Sequence, residues 1–137
     1  KLTNKLIDGG LDYLVVMGTT AESATLSFAE KQQVLDFVLK INKSRLPIVF
    51  GIGGNDTIKM VKEYNSYNLE GVDAILSASP YYNKPSQEGI YQHFKAVSEA
   101  SPIPRVCTFI PVRDGSEYLI LRQALSSYCS NLFVSVL

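Results

Sequence analysis

Residues 78–89 read Ala-Ser-Pro-Tyr-Tyr-Asn-Lys-Pro-Ser-Gln-Glu-Gly, and they set two tyrosines, Tyr81 and Tyr82, side by side between two prolines. An apolar run, 72–78, leads in, and an amphipathic run, 90–100, leads out. Pro80 and Pro85 each fix φ and lack an N–H, so they end the strand and stiffen the connection. The tyrosines then stand on a loop at the carboxyl end of a strand, where parallel α/β proteins bind ligands. The alternative is an aromatic pair packed down on its own loop. A second candidate, Gly18-Thr19-Thr20, follows another apolar run and offers two hydroxyls and free amides to an anionic group, although Ser/Thr/Gly turns are common without any ligand. Gly51-Ile52-Gly53-Gly54-Asn55 also follows a strand. It lacks the GxGxxG spacing and the later acidic residue that a dinucleotide requires. His93 falls mid-helix and reads as an exposed or helix-packed residue.

The elements that must position these residues alternate helix and strand. Residues 2–8 predict the last turns of a helix stopped by Gly9-Gly10, which implies that more chain precedes Lys1. Strands are expected at 11–17, 47–51, 72–78, 106–110 and 132–137, apolar and without alternation, as buried parallel strands are. Ser27 and Glu30 form a capping box for a helix to about Lys43, with Val34, Val38 and Ile41 on one face and Leu35 beside them. Asn55 or Asp56 caps a helix through Asn68. Ser86 caps one whose inner face is Ile90, Phe94 and Val97, broken at Pro102 and Pro104, and 119–128 predicts a last helix. About five parallel strands with intervening helices fit either a closed doubly wound sheet or part of a (β/α)8 TIM barrel, which takes ~250 residues. The half-helix at the start favours the part-barrel, so that 1–137 is one incomplete domain.

Composition removes other classes. The chain has 137 residues, 46% hydrophobic and 19% charged, with thirteen basic and thirteen acidic residues. No basic face calls for nucleic acid and no charge run for a membrane surface. No apolar run approaches the ~20 residues that span a bilayer, and the start carries no signal-peptide pattern. Cys107 and Cys129 make no metal spacing, and with one histidine no zinc site is expected. A reducing cytoplasm is the default compartment.

Taken together, residues 18–27, 51–55 and 79–96 closely resemble the dihydrodipicolinate synthase family of pyruvate-dependent aldolases. The resemblance runs without evident gap from about Leu2 to Pro104. Ala21 stands where the family has glycine. The sialic-acid (N-acetylneuraminate) lyase branch usually has serine at the position of Thr19, so Thr19 favours the synthase. The resemblance implies a TIM barrel assembled as a homotetramer of tight dimers, with no cofactor. It implies condensation of pyruvate with aspartate semialdehyde through a lysine Schiff base, in lysine (diaminopimelate) biosynthesis. Thr20 would hold the pyruvate carboxylate with Arg113 as a further substrate contact. Thr19 and Tyr82 would belong to a hydroxyl relay, Tyr82 reaching into the neighbouring subunit's site. Ser23, Ala24, Asn55 and Tyr81 match positions lining the lysine-feedback site of members that have one.

Over 105–137 the resemblance decays. Pro111, Arg113 and Gly115 keep the register, but the third relay tyrosine falls on Thr108 and the adjacent asparagine on Phe109. Continued without a gap, the Schiff-base lysine falls on Val136, which cannot form an imine. Lys84, the nearest loop lysine, sits beside polar Asn83 with nothing to desolvate it. Three readings follow: a fragment whose end is mis-sequenced, a catalytically dead relative, or use of another residue. The joint loss of two essential residues and the remaining strands favours the first. A non-catalytic small-molecule-binding or subunit-interaction module on the same scaffold is the alternative function. Open sheet edges predict that the isolated chain aggregates or is molten.

Overall fold

The computed structural model describes residues 1–78, 80, 85–103, 105–109 and 132–136, with the side chains of Thr19 and of 105–109 and 132–136 left aside. Its elements run α1 (Leu2–Asp8), β1 (Leu14–Val16), two 3-10 turns (Thr19–Ala21 and Ser23–Thr25), α2 (Phe28–Asn42), β2 (Ile48–Gly51), α3 (Thr57–Ser66), β3 (Ala74–Ala78), α4 (Gln87–Ala100), β4 (Arg105–Phe109) and β5 (Leu132–Val136). The helix expected over 119–128 lies outside the described residues.

All five strands pair in parallel in the order β1-β2-β3-β4-β5. A doubly wound sheet reverses its strand order at a switch point, whereas a barrel adds each strand beside the last. The unreversed order therefore selects the part-barrel over the closed sheet.

Three of the helices begin where a short side chain takes up an orphan amide. The Ser27 hydroxyl accepts from the Glu30 N–H while the Ser27 N–H donates to the Glu30 carboxylate at 2.8 Å. Asp56, not Asn55, caps α3 by accepting from the Lys59 N–H at 3.0 Å. Ser86 caps α4 by accepting from the Gly89 N–H at 3.2 Å. Each such cap contributes about 1 kcal/mol. At its other end α2 stops on two left-handed residues, Lys43 (φ 50) and Ser44 (φ 57). Buried Asn42 spans that turn, donating to the Leu46 carbonyl at 2.7 Å and accepting from the Leu46 N–H at 3.2 Å.

The core occupies one face of the sheet. Val16, Phe50 and Ile75 follow one another across β1, β2 and β3. They pack with Leu14 and Ile48 against Leu35, Met60, Tyr64 and Val97 from three helices. Tyr67 closes one side, stacked on Phe28 at 4.3 Å and edge-on to Phe50 at 5.1 Å. Burial, then the Glu63 carboxylate, pushes its phenol pKa up to about 12. The intervening row leaves this core. Val15, paired with Val49, is 47% exposed.

Three expectations need correction. β1 is three residues rather than the seven of 11–17, because Asp12 and Tyr13 are exposed and Met17 turns left-handed (φ 59). β3 starts at Ala74, after a turn at Glu70 and Gly71, and Asp73 just before it meets β2 through its side chain, whose carboxylate accepts from the Ile48 N–H at 2.7 Å. The buried contacts of α2 are Leu35 and Asn42, with Val34, Val38 and Ile41 only half-buried, so the helix is rotated from the expected face. Gly51 ends β2, where the expected strand 47–51 also ends.

His93 joins the expected inner face of α4, buried with Ile90, Phe94 and Val97. Its Nδ1 lies 2.7 Å from the Thr57 hydroxyl at the start of α3, so it ties the two helices together. Its Nε2 is buried with no hydrogen-bond partner among the described residues. Burial lowers its pKa from 6.5.

Leu35→Ala should cost about 2–5 kcal/mol in urea unfolding, whereas Phe37→Ala, at a 59% exposed position, should change stability by no more than about 0.5 kcal/mol. The lowered histidine pKa means that the unfolded chain binds the proton more readily than the folded one. Stability is then full above pH 6.5 and falls as the pH drops below it. His93→Asn should flatten that slope between pH 6.5 and 5. Glu30, whose carboxyl is held low by the Ser27 hydroxyl and N–H, acts only further down, below its ordinary 4.5. Equilibrium melts at half-unit pH intervals check both.

Candidate active site

Parallel pairing puts every strand's carboxyl end on one rim, so the ends of β1 and β2, and the described loops that follow them, are neighbours there. The β1 loop is the most tightly built of those described. Met17 leaves the strand in the left-handed region, and Gly18 extends (φ −63, ψ 172) into the first 3-10 turn. The Ala21 N–H closes that turn on the Gly18 carbonyl at 2.9 Å. Glu22 is again left-handed (φ 51), and its carbonyl accepts both the N–H and the hydroxyl of Thr25, each at 2.9 Å. Two non-glycine residues at positive φ within six positions store strain in this loop, as ligand-binding loops often do.

Thr19 opens the first turn and Thr20 is its exposed middle residue. The Thr19 hydroxyl lies outside what is described. Ser23, half-buried, and Ala24, exposed, begin the second 3-10 turn. Across the β1–β2 pair, the β2 loop leaves Asn55 exposed next to the cap of α3. The Ile52 N–H donates to the Leu76 carbonyl at 3.0 Å, extending the β2–β3 ladder past Gly51. Thus Thr19, Thr20, Ser23, Ala24 and Asn55 occupy two adjacent loops of one rim. Tyr81, Tyr82, Lys84 and Arg113 lie outside the described residues.

The described lysines are Lys1, Lys5, Lys31, Lys40, Lys43, Lys59, Lys62 and Lys95, and each lies on a helix or caps one. None sits on a strand. Val136 ends β5 and pairs with Phe109, while Thr108 pairs with Ala78 on one side and Ser135 on the other. Positions 108 and 136 are therefore in different rows of the sheet. Among the described residues no helix is long and apolar enough to cross a membrane.

One residue of the rim has no signal in the local sequence. A Cβ built on Gly51 would stand 2.1 Å from the Met17 carbonyl oxygen. Only the tertiary approach of two strands reveals that the glycine is there for room.

A model of the dihydrodipicolinate synthetase family matches residues 1–133, which extends beyond Pro104. A 4-hydroxy-tetrahydrodipicolinate synthase of Flavobacterium psychrophilum is 56% identical over 119 residues, covering 87% of this chain and 41% of the relative. Two solved structures are similar. A chloride-inhibited dihydrodipicolinate synthase from Acinetobacter baumannii, complexed with pyruvate, is 39% identical with a TM-score of 0.75, covering 80% of this chain and 38% of that one. A synthase from Cyanidioschyzon merolae with lysine bound is 32% identical with a TM-score of 0.80, covering 96% of this chain and 46% of that one. This chain spans about two fifths of the length of the curated relatives it matches.

Proposed function

The chain belongs to the dihydrodipicolinate synthetase family, and from that premise we propose that it carries the pyruvate-carboxylate end of such a synthase's site. The parent reaction condenses pyruvate with aspartate semialdehyde through a lysine Schiff base. The observation that carries this reading is the Gly18-Thr19-Thr20 turn at the carboxyl end of β1, in a chain 39% identical to a synthase solved with pyruvate. Thr20 offers an exposed hydroxyl and amide to a carboxylate, and hydrogen bonds to a charged group contribute about 1.5–3 kcal/mol. Arg113 is the matching cation. Thr19 and Tyr82 pass protons as the carbinolamine loses water, which hydroxyls do without carrying full charge. Ser23, Ala24, Asn55 and Tyr81 are assigned to a lysine-feedback site. Partners are small molecules and further copies of the chain in a tetramer of dimers.

The covalent step lacks an amine at the position the resemblance gives it. Pyruvate must become an enamine before it attacks an aldehyde, and that requires a lysine nitrogen as electron sink. Position 136 is valine, and no described lysine lies on a strand. Acid–base help alone contributes roughly 10²–10⁴-fold, short of the 10⁶ or more of an enzyme. The chain as written therefore binds pyruvate without turning it over. This lysine distribution favours a second reading, the non-catalytic binding or subunit-interaction module.

Borohydride with pyruvate should give no covalent adduct, while pyruvate binds saturably and Thr20→Val weakens it about tenfold, the loss of ~1.4 kcal/mol. Val136→Lys should give at most trapping. Turnover should require Thr108→Tyr and the remaining barrel strands as well. Condensation of pyruvate and aspartate semialdehyde by the unmodified chain would overturn the reading and direct the search to Lys84.

A further inference from the structure

We propose that Gly51 is a positioning residue for the Gly18–Thr20 turn: the bare backbone at the end of β2 sets where the Thr19 and Thr20 amides stand on the rim. The proposal rests on the reading of that turn as the pyruvate-carboxylate site.

The β1–β2 ladder ends on the pair Val16–Phe50. In the next row Met17 does not continue the strand but turns to φ 59. Its carbonyl then lies over Gly51. An added Cβ would meet the Met17 oxygen at 2.1 Å, the Met17 carbonyl carbon at 2.7 Å and the Gly18 nitrogen at 3.2 Å. The first of these is about 1 Å or more inside van der Waals contact. All three are backbone atoms, so no side-chain rotation relieves the overlap. Gly51 is not among the residues with positive φ, so what it supplies is space and not conformation.

Met17 cannot retreat cheaply. Its side chain is 8% exposed and belongs to the core cluster. Its peptide is thus held from below by the core and from the side by Gly51. The next residue passes this constraint on, because the Gly18 carbonyl accepts the Ala21 N–H that closes the turn containing Thr19 and Thr20. Moving the Met17–Gly18 peptide moves the whole turn, and misplacing a substrate contact by about 1 Å can cost on the order of 10²-fold in rate.

The test compares Gly51→Ala, Met17→Gly and the double variant in this chain at low micromolar concentration. Three readouts are hydrogen exchange by mass spectrometry, thermal melting and the affinity for sodium pyruvate. Gly51→Ala should speed exchange over 18–21 at least tenfold while exchange in α3 and β3 holds, and should weaken pyruvate at least tenfold. In the double variant a glycine at 17 can swing its carbonyl away without the left-handed penalty. Because Met17→Gly itself removes a core side chain, the double variant should melt no lower than Met17→Gly alone, so that alanine at 51 adds no further cost, while pyruvate stays weak. Unchanged exchange over 18–21 in Gly51→Ala overturns the proposal. So does a double variant that regains pyruvate in step with its melting temperature, since that would make Gly51 a merely structural glycine. If Gly51→Ala does not fold, the double variant decides by the same two measures. If the unmodified chain binds no pyruvate, the carboxylate reading fails, and the role of Gly51 is judged on exchange alone.

Discussion

The row Val16–Phe50–Ile75 is the contact on which the other parts depend. Each of these side chains is at least nine-tenths buried and faces the helices. Because side chains alternate along a strand, burying this row turns Val15, Val49 and Ala74 to the opposite face. A slip of one residue in any strand would exchange its two faces and take Val16, Phe50 or Ile75 out of the contact with the helices. The hydrophobic effect thereby fixes the register, the register fixes the rim, and the rim brings the β1 and β2 loops together. The candidate loops stand at the end of a chain of packing constraints.

Much of this architecture is written locally. Ser27 with Glu30, Asp56 and Ser86 announce helix starts through their own hydroxyl or carboxylate, and each cap is present. Apolar runs without alternation marked the parallel strands. The strand order, which separates a barrel from a doubly wound sheet, is a tertiary property and needed the structure.

What remained hidden depends on residues far apart in sequence. The half-burial of Val34, Val38 and Ile41 follows from how α2 is rotated on the sheet, and an apolar stripe broader than the contact leaves that choice open. His93 finds Thr57 thirty-six positions away, and nothing near either residue encodes the pairing. Gly51 read as part of a glycine-rich turn, since composition does not distinguish a glycine chosen for freedom from one chosen for room. The candidate site itself was legible through resemblance. The residue types 18–27 and 51–55 matched a family pattern, whereas the physics of a Gly-Thr-Thr turn alone favoured an ordinary turn over a ligand site.

The bond between His93 and Thr57 also partitions the rim mechanically. Thr57 is the first residue of α3, directly after the loop that bears Asn55, and α4 begins directly after the tyrosine segment. The 2.7 Å contact joins the first turn of α3 to the middle of α4, so the two helices resist sliding past one another. The β1 loop is braced differently, by the Met17 side chain in the core and by the close approach of its carbonyl to Gly51. The Asn55 loop is thus steadied from the helix layer and the Gly18–Thr20 turn from the sheet itself, so a change in helix packing would bear on the first before the second.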